Sequence, residues 1–294
     1  MYDDSFLLEL EEVNRRLMDK RLPPGLHIVA TPIGNLGDLS PRAAETLRRA
    51  DRILAEDSRV TGKLLAHIGA KMPMTRYDDH TSEADRERIV ARLGEEAIAL
   101  VSDAGTPLIS DPGYKLVRAA RATGHAVHTI PGPSAVIAAL TLAGVPTDRF
   151  LFLGFLPAKA KARSDAISEV ATVRASLVLY ESGPRLGETL AALAEQLGPR
   201  EAAVAREITK LHEECISGTL IELAERYAGA SPKGEIVVVV GPPPEAAEAS
   251  DEELDAALDQ ALSRQSPSRA AAEVADRLGV PRKRAYARAL ERSK

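Results

Sequence analysis

With 294 residues, the chain has room for two domains and a smaller third. Apolar residues make up 45%, but aromatics only 3% and tryptophan is absent, so any core must be aliphatic. The net charge of −5 excludes a global nucleic-acid signature, although a local basic patch remains compatible with it. The single cysteine, Cys215, excludes a disulfide framework and a cysteine-rich metal site, and places the protein in a reducing, cytoplasmic setting. No stretch approaches the roughly 18 apolar residues that span a bilayer, so no membrane partner is expected.

Residues 1–22 are acidic at the start, with Phe6, Leu7, Leu10, Val13 and Leu17 at roughly helical spacing. They predict a peripheral helical extension. A first α/β domain is expected over 23–145. It opens with the strand Leu26–Ala30, the glycine-bearing turn Thr31–Asp38, and a helix that Ser40 caps with Pro41 at its first position. Arg52–Ala55 reads as a second strand ending in Glu56-Asp57-Ser58-Arg59, followed by helical segments about 60–68 and 83–94. Ala97-Ile98-Ala99-Leu100-Val101 is an unbroken apolar run, the mark of a parallel strand buried on both faces. It stops at Ser102-Asp103-Ala104-Gly105-Thr106-Pro107, where Gly105 and Pro107 enforce a loop. A helix near 113–123, the strand Ala126–Ile130, the turn Pro131–Ser134 and an alanine-rich helix complete the domain. Gly144-Val145-Pro146 marks its boundary.

A second α/β domain, 146–241, is expected to repeat the idea with different loops. Phe150–Leu153, Ser176–Tyr180, Ala202–Ala205 and Glu235–Val240 read as strands, with helices over 185–197 and 222–227. Residues 241–262 hold seven acids and no Lys or Arg, giving a linker over 242–250 and then an acidic helix started by the Ser250/Glu253 capping box. Two short helices joined by Gly279-Val280-Pro281 resemble a helix-turn-helix, within an expected domain over 251–294. Residues 264–294 carry nine Lys or Arg against three acids, a local basic footprint.

The chain has no G-x-x-x-x-G-K-[ST] phosphate loop, no G-x-G-x-x-G after a strand and no G-x-S-x-G elbow. Its six histidines lack metal-ligand spacing, so no metal is expected. What remains is five strand-terminal loops: Thr31–Asp38, Ser102–Pro107, Pro131–Ser134, Glu181–Pro184 and Arg206–Lys210. In α/β sheets ligands sit beyond the carboxyl ends of strands. Such loops predict a cleft between the halves, lined by backbone amides, hydroxyls and a few carboxylates. That suits a nucleoside or amino-acid ligand better than a polyphosphate.

At these residues a family resemblance emerges. Ala30–Asp38, Ser102–Pro107, Pro131-Gly132-Pro133-Ser134-Ala135 and Gly154-Phe155-Leu156-Pro157 resemble motifs of the tetrapyrrole methylase superfamily, in its bacterial branch that 2′-O-methylates a cytidine in the decoding region of 16S rRNA. The similarity covers about 26–241 and extends into the tail. It implies two α/β domains of the tetrapyrrole methylase type around a cleft, a small C-terminal helix-turn-helix-like domain, and S-adenosyl-L-methionine as methyl donor. It also implies a homodimer and the 16S rRNA of the small ribosomal subunit as partner. Carried over by motif position, the cofactor contacts are Asp103, Thr106, Ser134 and Ala135, with Leu36, Tyr180, Ala205 and Gly234 as further matches.

By chemistry and loop position, Glu207, Glu181 and Asp57 are candidates for a general base. Lys159, Lys161 and Arg163, with Arg282, Lys283 and Arg284 in the tail, are candidates for RNA contact. The rival readings are a tetrapyrrole-precursor methylase of the same fold and a ligand-sensing helix-turn-helix DNA regulator. The basic tail and the Lys159–Arg163 run weigh against the first. The second predicts tight duplex binding and no methyl transfer.

Overall fold

The computed structural model describes residues 21–244 and 249–293. The helix expected within 1–22 lies essentially outside them. The described chain divides into two compact units that part between Pro242 and Pro243.

The first sheet takes its strands from β1 (Gly25–Val29), β2 (Arg52–Ala55), β3 (Met74–Arg76), β4 (Ala97–Val101) and β5 (Val127–Ile130). Their order is β3-β2-β4-β1-β5, and every pair is parallel. β1 and β4 are buried at every position; the unbroken aliphatic run of β4 requires it, while β1 buries His27 among its aliphatic residues. The crossovers are α1 (Pro41–Arg49), α2 (Ser58–His67), α3 (Glu83–Arg92) and α4 (Tyr114–Ala122). Ser40 and Ser82 cap α1 and α3 through their side-chain oxygens. The short, largely exposed β3 is an edge strand that no apolar run announces.

The second sheet corrects the expectation of a repeat. β6 (Phe150–Phe155), β7 (Ser176–Ser182), β8 (Glu201–Arg206), β9 (Glu214–Thr219) and β10 (Glu235–Val240) lie in the order β6-β7-β10-β8-β9. Only β6 and β7 run parallel; the other three pairs are antiparallel. Antiparallel pairing needs no crossover helix, so β8 and β9 join through a short loop. β9, with the sequence Glu-Cys-Ile-Ser-Gly-Thr, carries too few apolar residues to read as a strand and is held by pairing with β8. The helices are α6 (Ala160–Val170), α7 (Gly183–Leu197) and α8 (Leu220–Arg226).

One helix ties the two sheets together. α5 (Ala135–Ala143) follows β5 of the first sheet, yet Val136, Ala139, Leu140 and Ala143 pack on Val178, Ala203, Ala205, Val237 and Val239 of the second. Its N-terminus is thereby fixed between the strand ends of both.

The second unit is a three-helix body of α9 (Asp251–Leu262), α10 (Pro267–Leu278) and α11 (Arg282–Arg292). Gly279, in the left-handed region, closes α10 before the last helix begins. Leu254, Leu258, Ala271, Val274 and Ala285 form its core. Among the described residues no helix is long and apolar enough to cross a membrane.

A stacked histidine pair, with His27 buried and His128 partly exposed, joins two strands of the first sheet. His27 of β1 stacks on His128 of β5 with ring centroids 4.6 Å apart, and its Nε2 lies 2.9 Å from the Pro23 carbonyl. Burial lowers the pKa of His27, so its unfolded form binds the proton at higher pH. The stability this gives is present above about pH 6.5 and is lost as pH falls below it. His27→Phe is therefore expected to flatten the acid side of a urea-unfolding pH series by up to about 1.4 kcal/mol per pH unit.

Candidate active site

All five strand-end loops reach one cavity of about 350 Å³. The first sheet contributes Ile33, Ala104, Gly105, Thr106 and the stretch Ile109–Asp111; α5 contributes Ser134 and Ala135. The second sheet adds Phe155, Tyr180, Glu181, Ser182, Ile208 and the run Gly234–Val237. Most of that last run is brought there by register, since Val237 pairs with Tyr180 and Glu235 with Ser182.

The first three loops are stitched by hydrogen bonds. Thr31 N–H donates to the Gly105 carbonyl at 2.8 Å, and Gly105 N–H returns to the Thr31 carbonyl at 3.1 Å. The buried Thr31 hydroxyl adds bonds to the Ser102 and Gly105 carbonyls. Thr106 Oγ1 then donates to the Pro133 carbonyl at 3.0 Å. Gly105 sits at φ 80, and a Cβ there would stand 3.1 Å from Ile33 and point at this wall. On the opposite wall Gly234 sits at φ 100, where a Cβ would run into the Glu207 carboxylate at 2.4 Å. Ser134 caps α5 without a side-chain hydrogen bond, so its hydroxyl is not consumed by the helix end.

Of the positions marked in the sequence, Thr106, Ser134, Ala135, Tyr180, Glu181 and Gly234 line the cavity. Three cofactor candidates do not. Leu36 is exposed on the turn before α1, and Ala205 is fully buried beneath α5. Asp103 is exposed beside the cavity and accepts a hydrogen bond from the Asp57 N–H at 3.0 Å.

The proposed bases are occupied. Glu181 is buried, and its oxygens accept from Thr189 Oγ1 at 2.6 Å and the Ser182 N–H at 2.8 Å, with Arg185 at 3.4 Å. Glu207 lies outside the lining and pairs with Lys210 at 2.8 Å, which holds its carboxyl below the usual range. Asp57 is bound by Arg59 at 2.6 Å and is pulled down to about 2.

The basic candidates divide in the same way. Lys159 and Lys161 are exposed at the start of α6, shortly after Phe155. Arg163 is the correction: it turns inward, is 6% exposed and pairs with Glu188 at 3.2 Å. In the second unit Arg282 and Lys283 are exposed. Arg284 is instead engaged by Asp251 at 2.8 Å and the Ala249 carbonyl at 3.0 Å. It is the first rung of a ladder in which Arg288 meets Asp255 and Arg292 meets Asp255 and Asp259.

The Tetrapyrrole (Corrin/Porphyrin) Methylases family model matches residues 25–224. The chain belongs to the tetrapyrrole methylase family. A second model, the RsmI C-terminal HTH domain, matches residues 248–293. Relatives named ribosomal RNA small subunit methyltransferase I include one from Erythrobacter litoralis, 58% identical, and one from Mesorhizobium japonicum, 48% identical. The matches cover 92% of this chain in both cases, and 96% and 92% of those relatives. The chain is thus a member of that methyltransferase group within the tetrapyrrole methylases. Among solved structures, diphthine synthase aligns with a TM-score of 0.59 at 17% identity, over 74% of this chain and 89% of that one. A uroporphyrin-III C-methyl transferase from Thermus thermophilus, complexed with S-adenyl homocysteine, aligns at 0.52 and 20% identity, over 74% and 97%. These share the methylase fold of the two sheets.

Sequence reasoning missed Phe155 as a lining residue, and it gave Asp111 no role. Phe155 is 58% exposed in a chain with four phenylalanines, a signal visible only once the fold is known. Because Glu181 is engaged on both oxygens, Glu181→Gln is expected to act on stability, costing about 1.5–3 kcal/mol in urea unfolding. Donor binding by the folded fraction should change little in calorimetry.

Proposed function

We propose that this chain is an S-adenosylmethionine-dependent methyltransferase that methylates the 2′-oxygen of a cytidine ribose in the decoding region of 16S rRNA. The observation that carries the reading is the convergence of five strand-end loops on one cavity, in a chain whose relatives are named for small-subunit rRNA methylation. The cavity fits such a donor. Thr106, Ser134 and the backbone at Ala135 and Gly234 offer polar contacts for an amino-acid moiety and ribose. Phe155 and Tyr180, packed edge to face at 5.5 Å, with Ile236 and Val237, offer an apolar and aromatic surface for an adenine. Among the described residues no lysine or arginine lines it, which disfavours a polyphosphate.

When bound, the donor supplies an already activated methyl group on a sulfonium. The residues of the cleft therefore have mainly to hold and align two reactants, and alignment alone is worth about 7–11 kcal/mol in well-oriented systems. Thr106, tied to Pro133, keeps two loops of one wall at a set spacing. Exposed Lys159 and Lys161 supply phosphate contacts near the second-sheet wall, and Arg282 and Lys283 supply a further basic surface on the helix-turn-helix-like unit.

The same reading includes a cytoplasmic homodimer. Exposed Ile137 and Leu142 on α5, and Leu211 at 92% exposure, are apolar surface of the kind a second copy would cover. Light scattering at micromolar concentration should give twice the chain mass; a monomer mass removes this part of the reading.

The direct test incubates the protein with methyl-labelled donor and 30S subunits from cells lacking the activity. Label is expected in a ribose-methylated cytidine of 16S rRNA; label in a base, or none, rejects the assignment. In a paired variant, Lys159→Glu with Lys161→Glu, affinity for RNA should fall and the slope of log K against log salt should shrink by roughly 1.4. Donor affinity measured by calorimetry should stay within twofold of the parent.

A further inference from the structure

The cavity lining holds four titratable side chains: Asp111, Tyr180, Glu181 and Glu235. Three are accounted for. Glu181 is saturated by Thr189, Ser182 and Arg185. Glu235 is mostly exposed and pairs with Lys210 at 3.0 Å. Tyr180 is pushed up to about 12 by burial, so it presents a neutral hydroxyl. Asp111 stands apart: it is half-buried in the wall, and no ion pair to it forms among the described residues.

Its position is held by an unusual piece of chain. Leu108 and Ser110 both adopt left-handed backbone, at φ 75 and φ 63, in the loop that carries Asp111. Side chains avoid that region unless the surroundings impose it, and such strain concentrates where a group must be aimed. The loop places Asp111 on the same wall as Thr106 and Ser110, across from Tyr180 and Ser182.

We propose, resting on the function assigned above, that Asp111 is the general base of the methyl transfer and takes the proton of the acceptor hydroxyl. As the ribose oxygen forms its bond to the methyl carbon, the carbon–sulfur bond breaks with its electron pair going to sulfur. The O–H bond breaks, the proton passes to an Asp111 carboxylate oxygen, and it is later released to water. The sulfonium charge is neutralised, and the leaving thioether is neutral.

The electrostatics around Asp111 suit that task. Burial raises its pKa to about 6, and Asp103 and Asp79 add to the rise, while hydrogen bonding from Ser102 opposes it. Glu56, after β2, and Tyr180, on β7, also face it. A base is most effective when its pKa approaches the working pH and it is still deprotonated there. At neutral pH this carboxylate is ionised, yet is a stronger base than an exposed aspartate.

The test compares the parent, Asp111→Asn and Asp111→Glu on labelled donor and 30S subunits. The parent's kcat/KM should rise with pH through about 6 and then level off. Asp111→Asn should lose about 10²–10⁴-fold in kcat, with that limb removed and donor affinity by calorimetry within threefold. Asp111→Glu, which keeps the carboxylate, should recover at least tenfold over Asp111→Asn and restore an acid limb. Independently of activity, carbon-13 NMR of aspartate carboxyls in the donor-free protein should show one titration near 6 that disappears in Asp111→Asn.

A kcat in Asp111→Asn above a tenth of the parent's overturns the assignment. So does a donor affinity that falls in step with kcat, the absence of the NMR titration, or an Asp111→Glu no more active than Asp111→Asn. Failure of the parent itself to label ribose overturns both this and the proposed function; failure confined to the variants overturns Asp111 alone.

Discussion

The cleft depends on a small hydrogen-bonded stitch at the ends of three parallel strands. Thr31 and Gly105 exchange backbone bonds, and Thr106 reaches the Pro133 carbonyl. Strand-end loops are otherwise exposed chain with few apolar contacts, and would sample many conformations. Reciprocal bonding between the loops after β1 and β4, and a side-chain bond from there to the loop after β5, turn them into one wall. Gly105 is needed because the bridge requires φ 80 with Ile33 close by. The same stitch fixes the chain just ahead of Leu108–Asp111, so the aim of Asp111 depends on it.

The opposite wall is built on different physics. β7 and β10 are antiparallel, and their pairing sets Tyr180, Ser182, Glu235 and Val237 side by side. α5 joins the two walls: it emerges from the first sheet, buries its apolar face on the second, and leaves its N-terminus and Ser134 in the cavity. A nine-residue helix is marginal in isolation, so this burial is what holds it. The halves are thereby a single packed body around the cavity.

Charge pairing narrows the chemistry. Residues that read as reactive or basic in one dimension are mostly spent on structural partners, including Glu181, Glu207, Asp57, Arg163 and Arg284. The acidic and basic helices of the second unit satisfy one another through Asp251, Asp255 and Asp259. Its basic composition therefore overstates its exposed positive surface. Among the described residues, the cavity wall keeps one carboxylate outside any ion pair, Asp111, and the surface keeps Lys159, Lys161, Arg282 and Lys283 exposed.

The amino-acid order by itself determined the buried parallel strands, the capped helices and the five loops that line the cavity. Those signals are local: aliphatic runs, Gly and Pro breaks, and Ser-initiated helices are legible within a few residues. The motif series around Thr31, Asp103 and Pro131 likewise carried the family. Tertiary structure alone decided the mixed second sheet, because β9 exists by pairing with β8 and has no apolar run of its own. It alone decided that α5 belongs to both halves, since a helix hydrophobic nearly all round does not say which sheet it covers. And it alone separated Asp111 from Glu181 and Glu207. A carboxylate's role depends on which cations and donors reach it, and those come from strands and helices far away in the chain.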